Sequence, residues 1–438
     1  VRATVEGRPD SAASEREGLL ALTAVALAVG ALAGGIGAMF RVALMAADGW
    51  RGTLIAWAHR GGAPGVLAVC AVCAAAAATA AWLVLRFARF ASGSGIPHVE
   101  AVVRDELPHA SFSLLPVKFA GGWLAIGCGL ALGREGPSVQ MGACLGSVLG
   151  QGFRRGPDDR KALLAAGAGA GLATAFNAPT AGAVFVLEEL VRRFDTRIAV
   201  TALAASASAI AVARLVLGTA PDFHVDAVAP VAFGGALPFI GLGVIAGFAG
   251  VAYNRGILAA LAAADGASSL PVAVRAGLIG AAVGAIGFVA PSVVGGGDPL
   301  TQQALSGTGV LATLPLVFAV RFALGAVSYA AGTPGGLFAP LLVLGAQLGL
   351  GCAWLVGASA SGTLPPHAYA LVGMAAFFTA VVRSPLTGIV LVTEMTGSLS
   401  LLLPMVIASA LAMLVATLLA DPPIYDSLRE RLVRPRPE

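Results

Sequence analysis

Long apolar runs, recurring along the chain with almost no charge inside them, constrain this sequence more than any other feature. They occupy 19–47, 65–85, 114–132, 197–217, 235–263 and 401–420. Each is close to the ~20 residues that a helix needs to cross a bilayer. Of the 438 residues 11% are charged, against about 25% in a typical soluble domain. The runs have no polar face to turn towards water, which excludes a soluble Ala/Gly-rich fold. The chain therefore reads as an all-α polytopic membrane protein. Residues 1–18 mix acids and bases ahead of a first run too long for the apolar core of a secretory signal.

The net charge of +4 comes with no basic tract that could face nucleic acid. Five cysteines (Cys70, Cys73, Cys128, Cys144 and Cys352) all lie in apolar segments. Cys70 and Cys73 share a CxxC spacing, but no His, Asp or second Cys pair accompanies them. They read as small buried hydrophobes, and neither a metal nor a cofactor is expected.

A second pattern divides the chain in two. GSGIP at 93–97 returns as GGGDP at 295–299, and Lys118-Phe119 returns as Arg321-Phe322. GREGP at 133–137 returns as GLFAP at 336–340, 203 residues later. Gly142-Ala143-x-Leu145-Gly146 returns as Gly345-Ala346-x-Leu348-Gly349, and Pro179, Gly182 and Glu188 return as Pro385, Gly388 and Glu394. Five matches in one order at nearly constant spacing indicate a tandem duplication. The expected organisation is an N-terminal segment 1–18, a first membrane repeat 19–218 and a polar linker 219–232. A second repeat 233–432 ends in a C-terminal helix, followed by a tail 433–438. Duplicated membrane halves with short, Gly/Pro-broken apolar segments point to transporter-type architecture, often inverted about an axis in the membrane plane. The segments are too irregular for a crossing count, so the residues alone do not fix the inversion.

Three clusters, Gly93–Pro97, Gly133–Pro137 and Gly335–Pro340, carry glycines, then a proline, then an apolar run. Proline suits the first turn of a helix, where its missing N–H has no intrahelical partner anyway. A helix that starts inside the bilayer presents unpaired N–H groups and a positive dipole end, and it must face a protein-lined cavity. Several such starts aimed at one centre make an anion site without a formal charge. Any one cluster alone reads equally well as a plain turn. Ser94 adds a hydroxyl, as an N-cap, an anion donor or both. Tyr425, in DPPIYDSL, reads by itself as an interfacial anchor.

Acids in this background need a reason. Glu135 stands where an anion would sit, either as a fixed capping group or as a carboxylate that leaves when protonated. Glu188 has a repeat counterpart in Glu394 and reads as structural. Glu189 has Met395 as its counterpart. An acid in one copy only is a candidate for a special role, the alternative being a solvated helix end near Arg192 and Arg193. Arg134 has two open roles, an electrostatic lure or a structural partner. An intramembrane hydrolase built on Glu188/Glu189 finds no metal constellation and no base for Ser94, so the chain is not read as an enzyme.

These residues together resemble the CLC family of chloride channels and chloride/proton antiporters. The resemblance rests on GSGIP, GREGP, GLFAP, the FNAPTAG…EE segment at 176–189 and Tyr425, and it covers nearly the whole chain. It implies a homodimer in the lipid bilayer, with one pathway per subunit and two inverted-topology repeats of tilted and partial helices. The implied anion-binding set is Ser94, Gly95 and Ile96, then Arg134, Glu135 and Gly136, then Gly336, Leu337, Phe338 and Ala339, with the Tyr425 hydroxyl. Glu135 is implied as the external gating and proton glutamate, and Glu189 as the internal proton-transfer glutamate that channel members usually lack. The resemblance thus favours a secondary transporter exchanging chloride for protons over a passive voltage- or pH-gated chloride channel. Ser94 favours chloride over nitrate or fluoride. His98 departs from the glutamate common after GSGIP. No paired nucleotide-binding module follows Tyr425, which resembles bacterial members. A multi-pass protein of the inner (plasma) membrane is expected. Arg429, Arg431, Arg434 and Arg436 suggest a cytoplasmic C-terminus.

Overall fold

The structure is a computed structural model describing residues 9–109, 111–226, 228, 237–308, 311–357 and 364–434. Parts of the expected N-terminal segment (1–8), linker (227 and 229–232) and tail (435–438) lie outside the described residues. Among the described residues the chain is helical, with no strand and only two isolated bridges, Gly93 to Pro334 and Gly133 to Gly336.

The first half runs α1 (Pro9–Arg60), α2 (Ala63–Phe87), α3 (Ile96–Val103) and α4 (Leu114–Gly127). It continues with α5 (Glu135–Gly152), α6 (Pro157–Phe176), α7 (Pro179–Phe185) and α8 (Thr196–Leu217). The second half runs α9 (Pro238–Gly266), α10 (Val272–Val289), α11 (Asp298–Leu305) and α12 (Leu314–Ala330). It continues with α13 (Phe338–Leu355), α14 (Pro366–Val382), α15 (Pro385–Thr396) and α16 (Leu402–Leu418), and α17 (Ile424–Val433) follows. A single π-helical turn, Val186–Leu190, extends α7.

Among the described residues six helices are long and apolar enough to cross a membrane: α1, α2, α8, α9, α10 and α13. The run 114–132 does not form one span. Its helix stops at Gly127 after 14 residues, and Gly129 then takes a left-handed conformation with φ 106°. Residues 128–132 instead form the approach to α5. In α13 the most apolar window is 78% buried, against 28–39% in the other five spans. Those five form an apolar outer layer, and α13 belongs to the interior.

The interior is built from α5 against α6 and from α13 against α14. Glycines set the spacing. A Cβ at Gly142 would lie 2.0 Å from Gly167 O, and one at Gly146 would lie 2.1 Å from Leu163 O. At the matching positions of the second half, a Cβ at Gly345 would meet Gly373 O at 2.5 Å and one at Gly349 would meet Tyr369 O at 1.9 Å. Small residues four apart let backbones approach this closely, which is how helices gain contact where no hydrophobic effect separates them from lipid.

The halves also cap one another. Glu188, on the turn after α7, accepts from Leu386 N at 3.0 Å and Thr387 N at 2.6 Å, in the first turn of α15. Glu394, on α15, accepts from Thr180 N at 3.1 Å and Ala181 N at 2.8 Å, in the first turn of α7. Each carboxylate satisfies amides that have no partner within their own helix.

Candidate functional site

Three helix starts converge inside the molecule: α3 at Ile96, α5 at Glu135 and α13 at Phe338. Backbone bonds lace their leading segments together. Gly133 N donates to Gly336 O at 2.8 Å and Gly336 N to Gly133 O at 2.7 Å. Gly93 N donates to Thr333 O and Gly335 N to Gly93 O, both at 3.0 Å. The first amides of each helix have no intrahelical acceptor and remain as donors.

Two buried cations tie back the neighbouring carbonyls. Lys118, 0% exposed, donates from Nζ to Ala91 O at 3.0 Å and Gly93 O at 2.7 Å. Arg321, its repeat counterpart, donates from Nη1 to Val293 O at 3.1 Å and Gly295 O at 2.7 Å. A carbonyl engaged by a cation repels a nearby anion less, so both loops present mainly their donors.

Ser94, Glu135, Phe338 and Tyr425 are all fully buried. A Cβ at Gly136 would lie 2.6 Å from Ser94 Oγ, so only glycine lets α5 begin against Ser94. The Phe338 and Tyr425 rings lie 5.9 Å apart between centroids. Ser94 Oγ and Tyr425 Oη face one another, and among the described residues neither has any other hydrogen-bond partner. Buried hydroxyls are normally paired, and an anion among the helix starts would pair both. The Glu135 carboxylate faces the amides of Glu135 itself and Ala339. A Cβ at Gly336 would lie 3.1 Å from its Oε2. The carboxylate thus occupies the same group of donors that an anion would use.

Two cavities approach this cluster. One, of about 330 Å3, reaches Glu135 and Ala339 past Arg51, Asp298 and Arg134. Another, of about 470 Å3, reaches Gly93, Gly95 and Tyr329. Tyr329 Oη accepts from Ser94 N at 3.3 Å, so that amide is already engaged.

Glu189 lies away from the helix starts, at a third cavity of about 590 Å3 that Arg192, Arg193 and Arg383 also line. It is 2% exposed. Its Oε2 accepts from Ser384 Oγ at 2.5 Å, and Arg192 Nη2 stands 3.4 Å from Oε1. Arg192 Nη1 also pairs with Asp426 at 2.8 Å, the residue next to Tyr425.

Two members of the implied anion-binding set have partners within the protein. Arg134 donates from Nε to Ala175 O at 2.9 Å, from Nη1 to Asp298 at 2.9 Å and from Nη2 to Asp222 at 3.0 Å. Asp222 in turn holds Arg41 at 2.8 Å. Each nitrogen of the Arg134 guanidinium thus has an acceptor in the protein, an arrangement that fits a structural partner. The Gly336 amide belongs to Gly133 O, leaving Leu337, Phe338 and Ala339 to supply the donors at the start of α13. Gly95 takes the left-handed conformation, φ 86°, that turns the chain into Ile96 and α3.

Sequence reasoning passed over Glu100. It is 0% exposed on α3, and its carboxyl lies against that of Glu189. Arg429 Nε is 3.9 Å away. The available signal was an acid three residues after Pro97 in an otherwise apolar stretch. His98, at the position of departure, is buried against the Phe90 ring at 4.6 Å between centroids.

Comparison with known proteins agrees with this geometry. The family model described as "Voltage gated chloride channel" matches residues 75–417. The chain is 37% identical over 426 residues to the H(+)/Cl(-) exchange transporter ClcA of Vibrio parahaemolyticus, covering 94% of this chain and 89% of that protein. It is 36% identical over 362 residues to the transporter of the same name from Klebsiella pneumoniae, covering 80% and 75%. Among solved structures, a slow cyanobacterial Cl-/H+ antiporter superposes with a TM-score of 0.90 at 32% identity, covering 94% of this chain and 98% of that one. A CLC-type fluoride/proton antiporter shares the fold, with a TM-score of 0.77 at 22% identity and coverage of 91% and 95%. The matched model, the length of the matches and the shared helical fold show that the chain belongs to the CLC family of chloride channels and chloride/proton antiporters.

Proposed function

We propose that this protein is a secondary transporter exchanging chloride for protons across the membrane, with Glu135 as its gate. One observation carries the reading: a fully buried carboxylate sits at the end of a cavity, among the donors of converging helix starts. Protonated, the side chain has no charge to hold it there and swings out, and chloride takes its donors. Deprotonated, it competes with chloride for them. Partial charges from helix starts and hydroxyls hold a small anion firmly enough to select it and loosely enough to release it.

Glu189 supplies the second proton station. Its link to Ser384 and Arg192, beside a separate cavity, supports a proton route that leaves the anion path near Tyr425. A passive channel has no use for such an acid, and the relatives named as exchange transporters support the same choice. The protein is proposed to act as a homodimer with one pathway per subunit. Its halves, 19–218 and 233–432, are read as inverted repeats in the plasma membrane, and the C-terminus as cytoplasmic.

The test uses purified protein in sealed vesicles with an outward chloride gradient. Protons should enter the vesicles against their own gradient as chloride leaves. Chloride efflux without uphill proton movement would replace this reading with that of a passive channel.

A further inference from the structure

Arg275 has no structural explanation. It lies in the first turn of α10, where a cation opposes the positive end of the helix dipole. No ion pair or hydrogen bond engages its guanidinium among the described residues, although Nε and Nη1 are both buried. A buried donor without a partner is unfavourable, and for a charged group the penalty is larger.

Its surroundings point to the missing partner. Arg275 lines the cavity of about 470 Å3 together with Arg89, Arg431 and Arg434, facing one acid, Asp265. That acid is taken, since Arg431 pairs with Asp265 and also donates to Leu261 O at 3.2 Å. Arg434 pairs with Glu430 at 3.2 Å. The same cavity continues to Gly93, Gly95 and Tyr329, the backbone that cradles Ser94. Uncompensated positive charge therefore stands in a cavity that reaches Gly93 and Gly95, the residues on either side of Ser94.

We propose that Arg275 forms a capture site for the transported small anion, chloride, in this cavity on the side of the C-terminal helix. There it concentrates chloride before transfer to the Ser94–Tyr425 position. This rests on the exchange function proposed above. A cation in a low-dielectric cleft raises the local concentration of the opposite charge and speeds its entry.

Chloride/proton exchange is measured in vesicles over a range of chloride concentrations. Arg275→Gln should raise the half-saturating chloride concentration by about fivefold, on the scale expected for losing one steering charge. The maximal rate and the chloride-to-proton ratio should stay unchanged, and Arg275→Lys should recover most of the affinity. In Arg275→Cys, a positively charged thiol reagent should restore affinity and a negatively charged one should lower it further, with unmodified wild type as the control. An unchanged half-saturating concentration overturns the proposal, and so does equal action of the two reagents. A fall in maximal rate that lysine cannot rescue also overturns it, because that pattern marks a structural residue. Wild-type vesicles separate the two readings. If they show no chloride-driven proton movement, the exchange function itself fails.

Discussion

Glu189 divides transport most cleanly at the scale of single residues. It does not line the cavity that reaches Glu135, yet it is buried and held by Ser384 and Arg192. Glu189→Gln should therefore abolish proton transport and leave chloride flux largely intact, read as separate proton and chloride signals from the same vesicles. Loss of both fluxes, or of neither, would remove Glu189 from the proton route. Tyr425→Phe deletes one buried hydroxyl beside Ser94 and keeps the ring that packs on Phe338. A hydrogen bond to a charged group contributes about 1.5–3 kcal/mol, so chloride binding by calorimetry should weaken by about tenfold or more. Ser94 and Glu135 could be singled out in the sequence because each is a polar group at a helix-start signal, whereas Tyr425 by itself reads as an interfacial anchor and joins the set only through the family resemblance. Lys118 could be noticed only as a repeat match. Its work, holding two loop carbonyls, depends on residues 25 and 27 positions away. Glu100 was passed over because its neighbour Glu189 is distant in sequence.

At the scale of elements, glycine spacing determines how closely the interior helices approach. Gly146→Val introduces a Cβ 2.1 Å from Leu163 O, with backbone rather than a flexible side chain in the way. Overpacking of this kind costs about 1–3 kcal/mol or more. Thermal unfolding in detergent should show a clearly lowered midpoint, whereas the same change at Gly152, with open space around it, should be nearly neutral. The long apolar helices were legible because length and hydropathy mark them directly. The partial helices were not. α3, α7 and α11 have 8, 7 and 8 residues, too few to show a period or a span. The run 114–132 looked continuous because hydropathy does not register the turn at Gly129.

On the scale of the whole molecule, the duplication places related helix starts opposite one another and then departs from symmetry where chemistry is needed. α5 and α13 both begin after a glycine and before a proline. Only α5 carries Glu135, and the matching residue in α13 is Phe338, which packs against Tyr425. The shared frame could be read from constant spacing. The position of the Glu135 carboxylate among donors of both halves could not, because it depends on how the halves meet. Arg134 shows the same limit, since Asp222 and Asp298 reach it from 88 and 164 residues away. The central claim is that one buried carboxylate both blocks the anion and carries the proton. Simultaneous recording of chloride efflux and proton uptake for wild type and Glu135→Gln tests it most directly. Wild type should move both ions in a fixed ratio, and the variant, with a permanently neutral side chain, should pass chloride with no proton movement. Proton transport still coupled to chloride in Glu135→Gln would contradict the account.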